Sequence, residues 1–313
     1  MYELTPLFPY YTHLVLSGGG MSGLVYIGIY RFLQQYDMLR SIHYISGTSV
    51  GAVFGFIFGL KMEYQYIEEL FIGNTEHPGI FMDNRTISFD PKAIFRFSEK
   101  KGMYTTERFR SYLIDWLKRK YDREDITFAE YIKLTGVDFH INVTCLNTYC
   151  SIDLCNKTHP DMSVITAILA SMSIPFLFEP ILYNDLVLID GGCCENLPLS
   201  WIDKAISNKV LAINLGTDIE FTKESLLENI GIYGYSLALC MICSHTKKTI
   251  REYQDTVDIL EINKNPIPFI QAFFEKEAIY TRLSKDIIEE GIMYGYHCID
   301  QFFHSKNYFE QTS

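Results

Sequence analysis

Two stretches decide the fold: residues 13–23, HLVLSGGGMSG, and residues 42–51, IHYISGTSVG. Each begins with a short apolar run that is typical of a strand and then turns through glycines. Each leads into a segment with helical spacing of its apolar residues, and the second of these is the apolar run 50–60. Strand, turn and helix repeated in succession predict a parallel α/β sheet.

The rest of the chain continues this alternation. Thr127 is predicted to cap a helix that ends at Gly136, and residues 61–135 are predicted to be mostly helical. No Pro/Gly/Ser-rich linker interrupts the chain, so we predict that residues 204–313 complete the sheet and pack helices on the core of residues 14–203. Further strands are predicted over 139–146, 186–189, 210–215 and 257–262, and further helices over 107–120 and 162–172.

Composition limits the class of function. The 313 residues are 48% hydrophobic and 21% charged, which suits a large globular unit rather than a disordered chain or a coiled coil. The net charge of −11 argues against a broad nucleic-acid-binding face, because such a face needs positive charge to contact phosphates.

The cytoplasm is the expected compartment, with peripheral contact to membranes. The N-terminus lacks the basic and apolar segments of a secretory signal, and a chain this long does not need its eight cysteines as disulfides. The longest uncharged apolar runs, 50–60 and 230–243, fall short of the roughly 18–20 residues of a bilayer-spanning helix. Cys240-x-x-Cys243 lies in an apolar run without a second cysteine pair, so we predict no metal there.

Ser49 is the candidate nucleophile. It lies in Gly47-x-Ser49-x-Gly51, between a predicted strand and an apolar helix. A serine presented on such a sharp turn needs small residues two positions before and after it, because its backbone is strained. The amides at the start of the following helix would stabilise a developing negative charge. The Gly-x-Ser-x-Gly pattern by itself also arises by chance in chains of this length. Its placement between a predicted strand and a predicted helix favours the catalytic interpretation here.

The Gly18-Gly19-Gly20-x-x-Gly23 loop has three interpretations: an oxyanion hole, a dinucleotide fingerprint, or a tight turn without a ligand. A dinucleotide site expects an acidic residue about 20 positions later, at the end of the next strand. Here the next strand runs into Ser49 instead. We therefore favour the oxyanion hole over the plain turn, and both over a nucleotide site.

Asp190 is the candidate base. It follows the predicted strand 186–189 and precedes Gly191 and Gly192, which let the backbone turn tightly at the carboxyl edge of the sheet. The alternative is a turn aspartate that caps its own backbone. An ordinary aspartate has a pKa of about 3.9 and is a poor base near neutral pH, so a catalytic role requires an environment that raises its pKa.

A triad histidine is not evident. A histidine base in an α/β-hydrolase would follow the acid and lie in a loop after a strand. The histidines after Asp190 all fall in or beside predicted helices; they are His245, His297 and His304. This pattern favours a serine that is activated by a carboxylate alone.

Four motifs, in order, resemble those of the patatin-like phospholipase family. They are residues 14–23 (LVLSGGGMSG), 47–52 (GTSVGA), 170–175 (ASMSIP) and 190–198 (DGGCCENLP). The resemblance covers about residues 14–203. It implies a three-layer α/β/α fold with a mostly parallel sheet, a Ser–Asp dyad, and esterase chemistry on acyl lipids without a metal or other cofactor.

The resemblance also assigns roles to residues. Ser49 would be the nucleophile and Asp190 the proton acceptor. Amides of Gly18, Gly19 and Gly20 would bind the oxyanion, and the supporting glycines would be Gly23, Gly47, Gly51, Gly191 and Gly192.

The first hypothesis is therefore a lipid acyl hydrolase that acts at a membrane or micelle surface. Many family members carry Arg or Lys just before the last loop glycine, where this chain has Ser22. That departure motivates a second hypothesis, a catalytically silent lipid-binding or regulatory protein, and a nucleotide-binding protein is the third. The run 269–274 is either an apolar rim that meets lipid or part of the core, and we favour the core.

Overall fold

The computed structural model describes residues 9–73, 93–216, 230–262 and 285–306, together with residues 223 and 226. The strands are β1 (His13–Leu16), β2 (Tyr44–Thr48), β3 (Gly102–Tyr104), β4 (Asp138–Cys145), β5 (Cys150–Leu154), β6 (Phe176–Phe178), β7 (Ile181–Tyr183), β8 (Leu186–Asp190), β9 (Val210–Leu215) and β10 (Asp258–Ile262). The α-helices are α1 (Leu24–Gln35), α2 (Val50–Gly59), α3 (Tyr64–Ile72), α4 (Ala93–Lys100), α5 (Glu107–Tyr121), α6 (Phe128–Thr135), α7 (Val164–Ser171), α8 (Ile230–Tyr253) and α9 (Lys285–Ser305).

The central sheet is mixed, with a parallel half and an antiparallel half. Its strand order is β10-β9-β1-β2-β4-β8-β7, and β5 also pairs with β4. The strands from β10 to β4 pair in parallel, whereas β8 and β5 run antiparallel to β4. Ser49, the candidate nucleophile, follows the last residue of β2, and Asp190, the candidate base, is the last residue of β8.

Helices cover both faces of the sheet. Leu14 and Leu16 of β1 belong to the larger apolar core, which includes side chains of α1, α2, α7 and α9. Val15, whose side chain points to the opposite face, packs in a second core with Leu197 and with Tyr253 of α8. The predicted three-layer α/β/α fold is thus confirmed.

Most predicted elements appear within a few residues of their expected bounds. β1 and β9 match their predicted ranges, and α6 begins with a capping box at Thr127 and ends at Gly136, which has φ 72°. The sequence analysis missed β5, because its CSIDL sequence is half-exposed and carries polar residues on an antiparallel strand. It also missed β3, β6 and β7, which are each only three residues long.

The segment after residue 203 contributes both strands and helices. β9 pairs with β1 and β10 pairs with β9, while α9 packs along α1. The boundary between residues 203 and 204 stays a prediction. The run 269–274 lies outside the described residues.

Helices α1 and α9 cross at a pair of glycines. A Cβ atom at Gly28 would lie 1.8 Å from the Ile292 carbonyl oxygen, and one at Gly295 would lie 2.1 Å from the Val25 carbonyl oxygen. Only glycine lets the two backbones approach this closely.

We predict that Gly28→Ala lowers the free energy of unfolding by about 3 kcal/mol, because the added methyl group separates α1 from α9. Gly234→Ala in α8 is the matched control, since its Cβ would meet Phe176 at an ordinary 3.5 Å. Alanine favours a helix interior by about 1 kcal/mol over glycine, so the control should be neutral or more stable. Urea unfolding, monitored by circular dichroism, measures the free energy of unfolding of both variants and the wild type. Equal stability of the Gly28→Ala variant and the wild type would contradict the close crossing.

Candidate active site

Ser49 lies on a strained turn between β2 and α2. Its backbone has φ 54° and ψ −125°, in a region that residues other than glycine rarely adopt. The Ser49 amide donates to the Ser171 hydroxyl at 2.8 Å, and that hydroxyl donates to the Asn142 carbonyl oxygen at 2.7 Å. These bonds hold the turn from the side of α7 and β4.

The two glycines that flank Ser49 allow this turn to form. A Cβ atom at Gly47 would lie 2.5 Å from the Gly51 carbonyl oxygen. One at Gly51 would lie 2.4 Å from the Leu16 carbonyl oxygen at the end of β1. The spacing recognised in the sequence therefore reflects backbone contacts on both sides of the serine.

Asp190 meets Ser49 at the end of β8. Its side chain is buried, and its carboxyl oxygen Oδ1 accepts from the Gly192 amide at 2.7 Å. Burial raises the pKa of Asp190 from its ordinary 3.8 to about 6, although the hydrogen bonds from Ser49 and Gly192 oppose this shift. The structure thus brings together a hydroxyl and a carboxylate that are distant in sequence.

The Gly loop packs directly against the serine. A Cβ atom at Gly18 would lie 3.0 Å from Ser49 Cβ and 2.5 Å from Asn196 Oδ1. The Gly18 amide, however, donates to the Asn196 carbonyl oxygen at 3.2 Å, and Asn196 Nδ2 donates to the Gly18 carbonyl oxygen at 3.2 Å. The Gly18 amide is therefore engaged, which differs from its expected place among the oxyanion donors.

The amides of Gly19 and Gly20, unlike that of Gly18, have no hydrogen-bond acceptor among the residues that the structure describes. Gly20 has φ 55°, a conformation that turns the loop into the short 3-10 segment Gly20–Gly23. Ser22 lies buried in this segment, and its amide donates to the Gly19 carbonyl oxygen at 3.1 Å.

The remaining supporting glycines lie at close contacts around the site. A Cβ atom at Gly23 would lie 2.4 Å from Val50, and one at Gly191 would lie 2.2 Å from the Asn142 carbonyl oxygen. A Cβ atom at Gly192 would lie 3.0 Å from Asp190 Oδ1 and 3.5 Å from the side chain of Ile242. Helix α8 therefore borders the turn that carries Asp190.

Asn142 is a site residue that sequence reasoning missed. It is fully buried on β4, and its Nδ2 donates to the carbonyl oxygens of Glu195 at 2.6 Å and Gly191 at 3.2 Å. Its Oδ1 accepts from the Ser151 hydroxyl at 2.9 Å. The side chain ties β4 to the turn after Asp190, and a polar residue among apolar ones in the middle of a strand was the available signal.

The three histidines that follow Asp190 in the chain are all exposed. His245 lies on α8, and His297 and His304 lie on α9. The side chain that lowers the pKa of Asp190 by hydrogen bonding is Ser49 and not an imidazole.

Comparisons with known proteins identify the family of the chain. Residues 14–200 match the family model described as patatin-like phospholipase. "Probable lipid hydrolase 463L" of Invertebrate iridescent virus 6 is 29% identical over 194 residues, which cover 61% of this chain and 62% of that protein. "Triacylglycerol lipase 4" of Saccharomyces cerevisiae is 27% identical over 209 residues, which cover 60% of this chain and 22% of that protein. The matched region thus spans less than two thirds of either relative.

The structural comparison extends over more of the chain. VipD from Legionella pneumophila superposes with a TM-score of 0.54 at 16% identity, over 95% of this chain and 67% of that one. At this identity the likeness shows the fold alone. Among the described helices, none has both the length and the apolar composition to cross a bilayer.

We predict that Asp190→Asn stabilises the protein at neutral and alkaline pH. A folded pKa of about 6 against an ordinary 3.8 means that the charged carboxylate destabilises the folded state above about pH 6, by up to about 3 kcal/mol. The stability gained by Asp190→Asn should shrink as the pH falls from about 6 and vanish below about pH 4. Unfolding free energies measured across pH provide the test, with the exposed Asp185→Asn as the control. A constant difference at all pH values would contradict the raised pKa.

Proposed function

The chain belongs to the patatin-like phospholipase family of lipid hydrolases, and we propose that it is a serine acyl hydrolase with a Ser49–Asp190 dyad. Its substrates are acyl lipid esters of the phospholipase A, lysophospholipase or acylglycerol lipase type. The observation that carries the proposal is the buried Asp190 carboxyl next to the strained Ser49 turn, where the Ser49 side chain lowers the pKa of the carboxyl. Neither a metal ion nor an organic cofactor takes part in the proposed reaction.

Asp190 is the general base in this reaction. It takes the hydroxyl proton as Ser49 Oγ attacks the ester carbonyl carbon, and then gives that proton to the departing alcohol as the ester C–O bond breaks. The fatty acyl group is left on Ser49. Asp190 next deprotonates a water molecule that attacks the acyl-enzyme, which releases the fatty acid and restores the serine.

Two features support the chemistry of this dyad. The pKa of Asp190, about 6, leaves the carboxylate charged at neutral pH while making it a stronger base than an ordinary aspartate. The amides of Gly19 and Gly20, with the N-terminal end of α2, stabilise the negative charge that develops on the carbonyl oxygen. The Gly18 amide is bound to Asn196, so Gly18 contributes by close packing against Ser49.

A group of exposed apolar side chains beside the site suits contact with a lipid surface. We call it the apolar rim; it consists of Phe97, Phe176, Tyr233, Leu237 and Met241, which are 36–55% exposed. The last three are spaced four residues apart and form one stripe on α8. The rings of Phe97 and Phe176 stack at 5.8 Å, and Phe176 approaches α8 at Gly234.

The helix that carries most of the rim also borders the proposed dyad. Helix α8 carries Ile242, which borders Gly192 beside Asp190. A lipid surface in contact with the rim would thus lie next to the dyad. We propose that the protein works in the cytoplasm as a peripheral membrane protein, and its eight free cysteines suit a reducing compartment.

The second candidate function is that of a catalytically silent lipid-binding protein. It is motivated by Ser22, which occupies the position where many family members carry Arg or Lys. Labelling with a fluorophosphonate separates the two functions, because only an activated serine reacts. An adduct on Ser49 supports the hydrolase, and folded protein without an adduct supports the silent protein.

We predict that Ser49→Ala lowers the hydrolysis of a short chromogenic ester by more than about 10³-fold, the order expected when a nucleophile is lost. Ser46→Ala is the matched control, because Ser46 is a buried serine on β2, the strand before the Ser49 turn, and has no role in the mechanism. Equal rates for Ser49→Ala and the wild type would remove Ser49 from the reaction.

We also predict that Leu237→Asp combined with Met241→Asp weakens binding to phosphatidylcholine vesicles by at least about tenfold, since each buried apolar side chain contributes about 1.5–3 kcal/mol. Hydrolysis of a soluble ester should persist, because both side chains point away from the core. Met293→Asp, an exposed methionine on α9, is the control. Vesicle binding that is unchanged in the double variant would exclude the rim as the lipid contact.

A further inference from the structure

A cluster of potential metal ligands lies on β4 and β5, apart from the dyad. His140 is on β4, Asp153 is on the neighbouring β5, and Cys155 follows the end of β5. A ring nitrogen, a carboxylate oxygen and the thiol sulfur of these residues all lie within 4.8 Å of one another. The closest pair is His140 Nδ1 and Asp153 Oδ2, at 2.7 Å.

The cluster is shielded from solvent. Cys155 is 1% exposed, and the side chains of His140 and Asp153 are 12% and 13% exposed. Asp153 Oδ1 and, in the next turn, His159 Nδ1 are buried, and neither has a hydrogen-bond partner among the described residues. Buried polar atoms without partners are uncommon, because each loses its hydration without compensation. A bound cation would satisfy such atoms.

Hydrogen bonds fix the turn after β5, on which Cys155 lies. The His159 amide donates to the Cys155 carbonyl oxygen at 2.8 Å, and the Cys155 amide is held by the Thr158 hydroxyl at 3.2 Å. Thr158 also donates to the Asp153 carbonyl oxygen at 2.7 Å. The backbone therefore fixes a Cys-x-x-x-His turn against the strand that carries Asp153.

The donor set matches the preferences of zinc. Thiolate, imidazole and carboxylate are the ligands of Zn²⁺, with bonds of about 2.0–2.3 Å that place tetrahedral ligands about 3.5 Å apart. The three donor atoms lie within 4.8 Å of one another, so small side-chain movements would bring them to this spacing. We propose that the chain binds a structural Zn²⁺ ion through the side chains of His140, Asp153 and Cys155.

A different arrangement explains the same residues without a metal. His140 Nε2 lies 3.4 Å from Asp138 Oδ2, and the His140 ring lies 4.3 Å from the ring of Tyr44. A charged imidazole held between Asp138 and Asp153 would also stabilise the cluster. The two arrangements differ in whether a thiolate takes part, and Cys155 is therefore the residue to test.

Zinc at this position would fasten β5 to β4 beside the catalytic machinery. His140 and Asn142 are two residues apart and lie on the same face of β4. Ser151 of β5 donates to the Asn142 side chain, which in turn holds the turn after Asp190. The ion has a structural role that does not depend on the proposed hydrolase activity.

The test uses the full chain, reduced and stripped with a chelator, and then titrated with Zn²⁺ or Co²⁺. We expect one equivalent of Zn²⁺ per chain, a higher thermal midpoint with zinc, and a thiolate-to-cobalt charge-transfer band with Co²⁺. Cys155→Ser should abolish the band and weaken binding by about 100-fold or more, because even outer-shell changes cost 10–100-fold. Cys150 is an exposed thiol on β5, so Cys150→Ser should leave the charge-transfer band and the zinc affinity unchanged.

Three outcomes would overturn the site. Folded wild-type protein that takes up no zinc would favour the charged imidazole between Asp138 and Asp153. Unchanged binding in Cys155→Ser would exclude its thiolate, and loss of binding only in Cys243→Ser would place the ion on α8. If Cys155→Ser does not fold, Asp153→Asn replaces it, and unchanged zinc affinity in that variant would contradict the proposal.

Discussion

The burial of one carboxyl group is the constraint on which the site depends. Strand β8 returns antiparallel to β4 and delivers Asp190 into the interior, where it is 3% exposed and its pKa rises to about 6. The same desolvation that makes the carboxylate a stronger base also destabilises the folded state at neutral pH. The raised basicity of Asp190 and the lost stability thus have one physical cause, and the proposed activation of Ser49 needs no histidine.

A second constraint is the strained backbone at Ser49, which the surrounding structure has to hold. Ser171 bonds the Ser49 amide, and the Ser171 hydroxyl reaches the carbonyl oxygen of Asn142. The Asn142 side chain reaches the turn after Asp190, so one hydrogen-bonded network across β2, β4 and β8 positions both Ser49 and Asp190, the proposed nucleophile and base. Such networks fix geometry because every buried member is satisfied by another.

Much of this arrangement could be predicted from sequence, because the decisive contacts are local. The Gly47 and Gly51 spacing encodes backbone approaches that only glycine permits, and the apolar runs of β1 and β9 fix those strands. Contacts between distant segments that no motif marks could not be predicted. Examples are the bond of the Gly18 amide to Asn196, the role of Asn142, and the meeting of His140 with Cys155, which depends on the polar strand β5.

The pH dependence of kcat/KM on a soluble ester tests the central claim most directly, because it reports the ionisation of the essential base in the free enzyme. Asp190 must be deprotonated to accept the serine proton. The account predicts a rate that falls as the pH drops through about 6, with a plateau above that value. A profile without an inflection near this pH, or the same inflection and rate in Asp190→Asn, would contradict it.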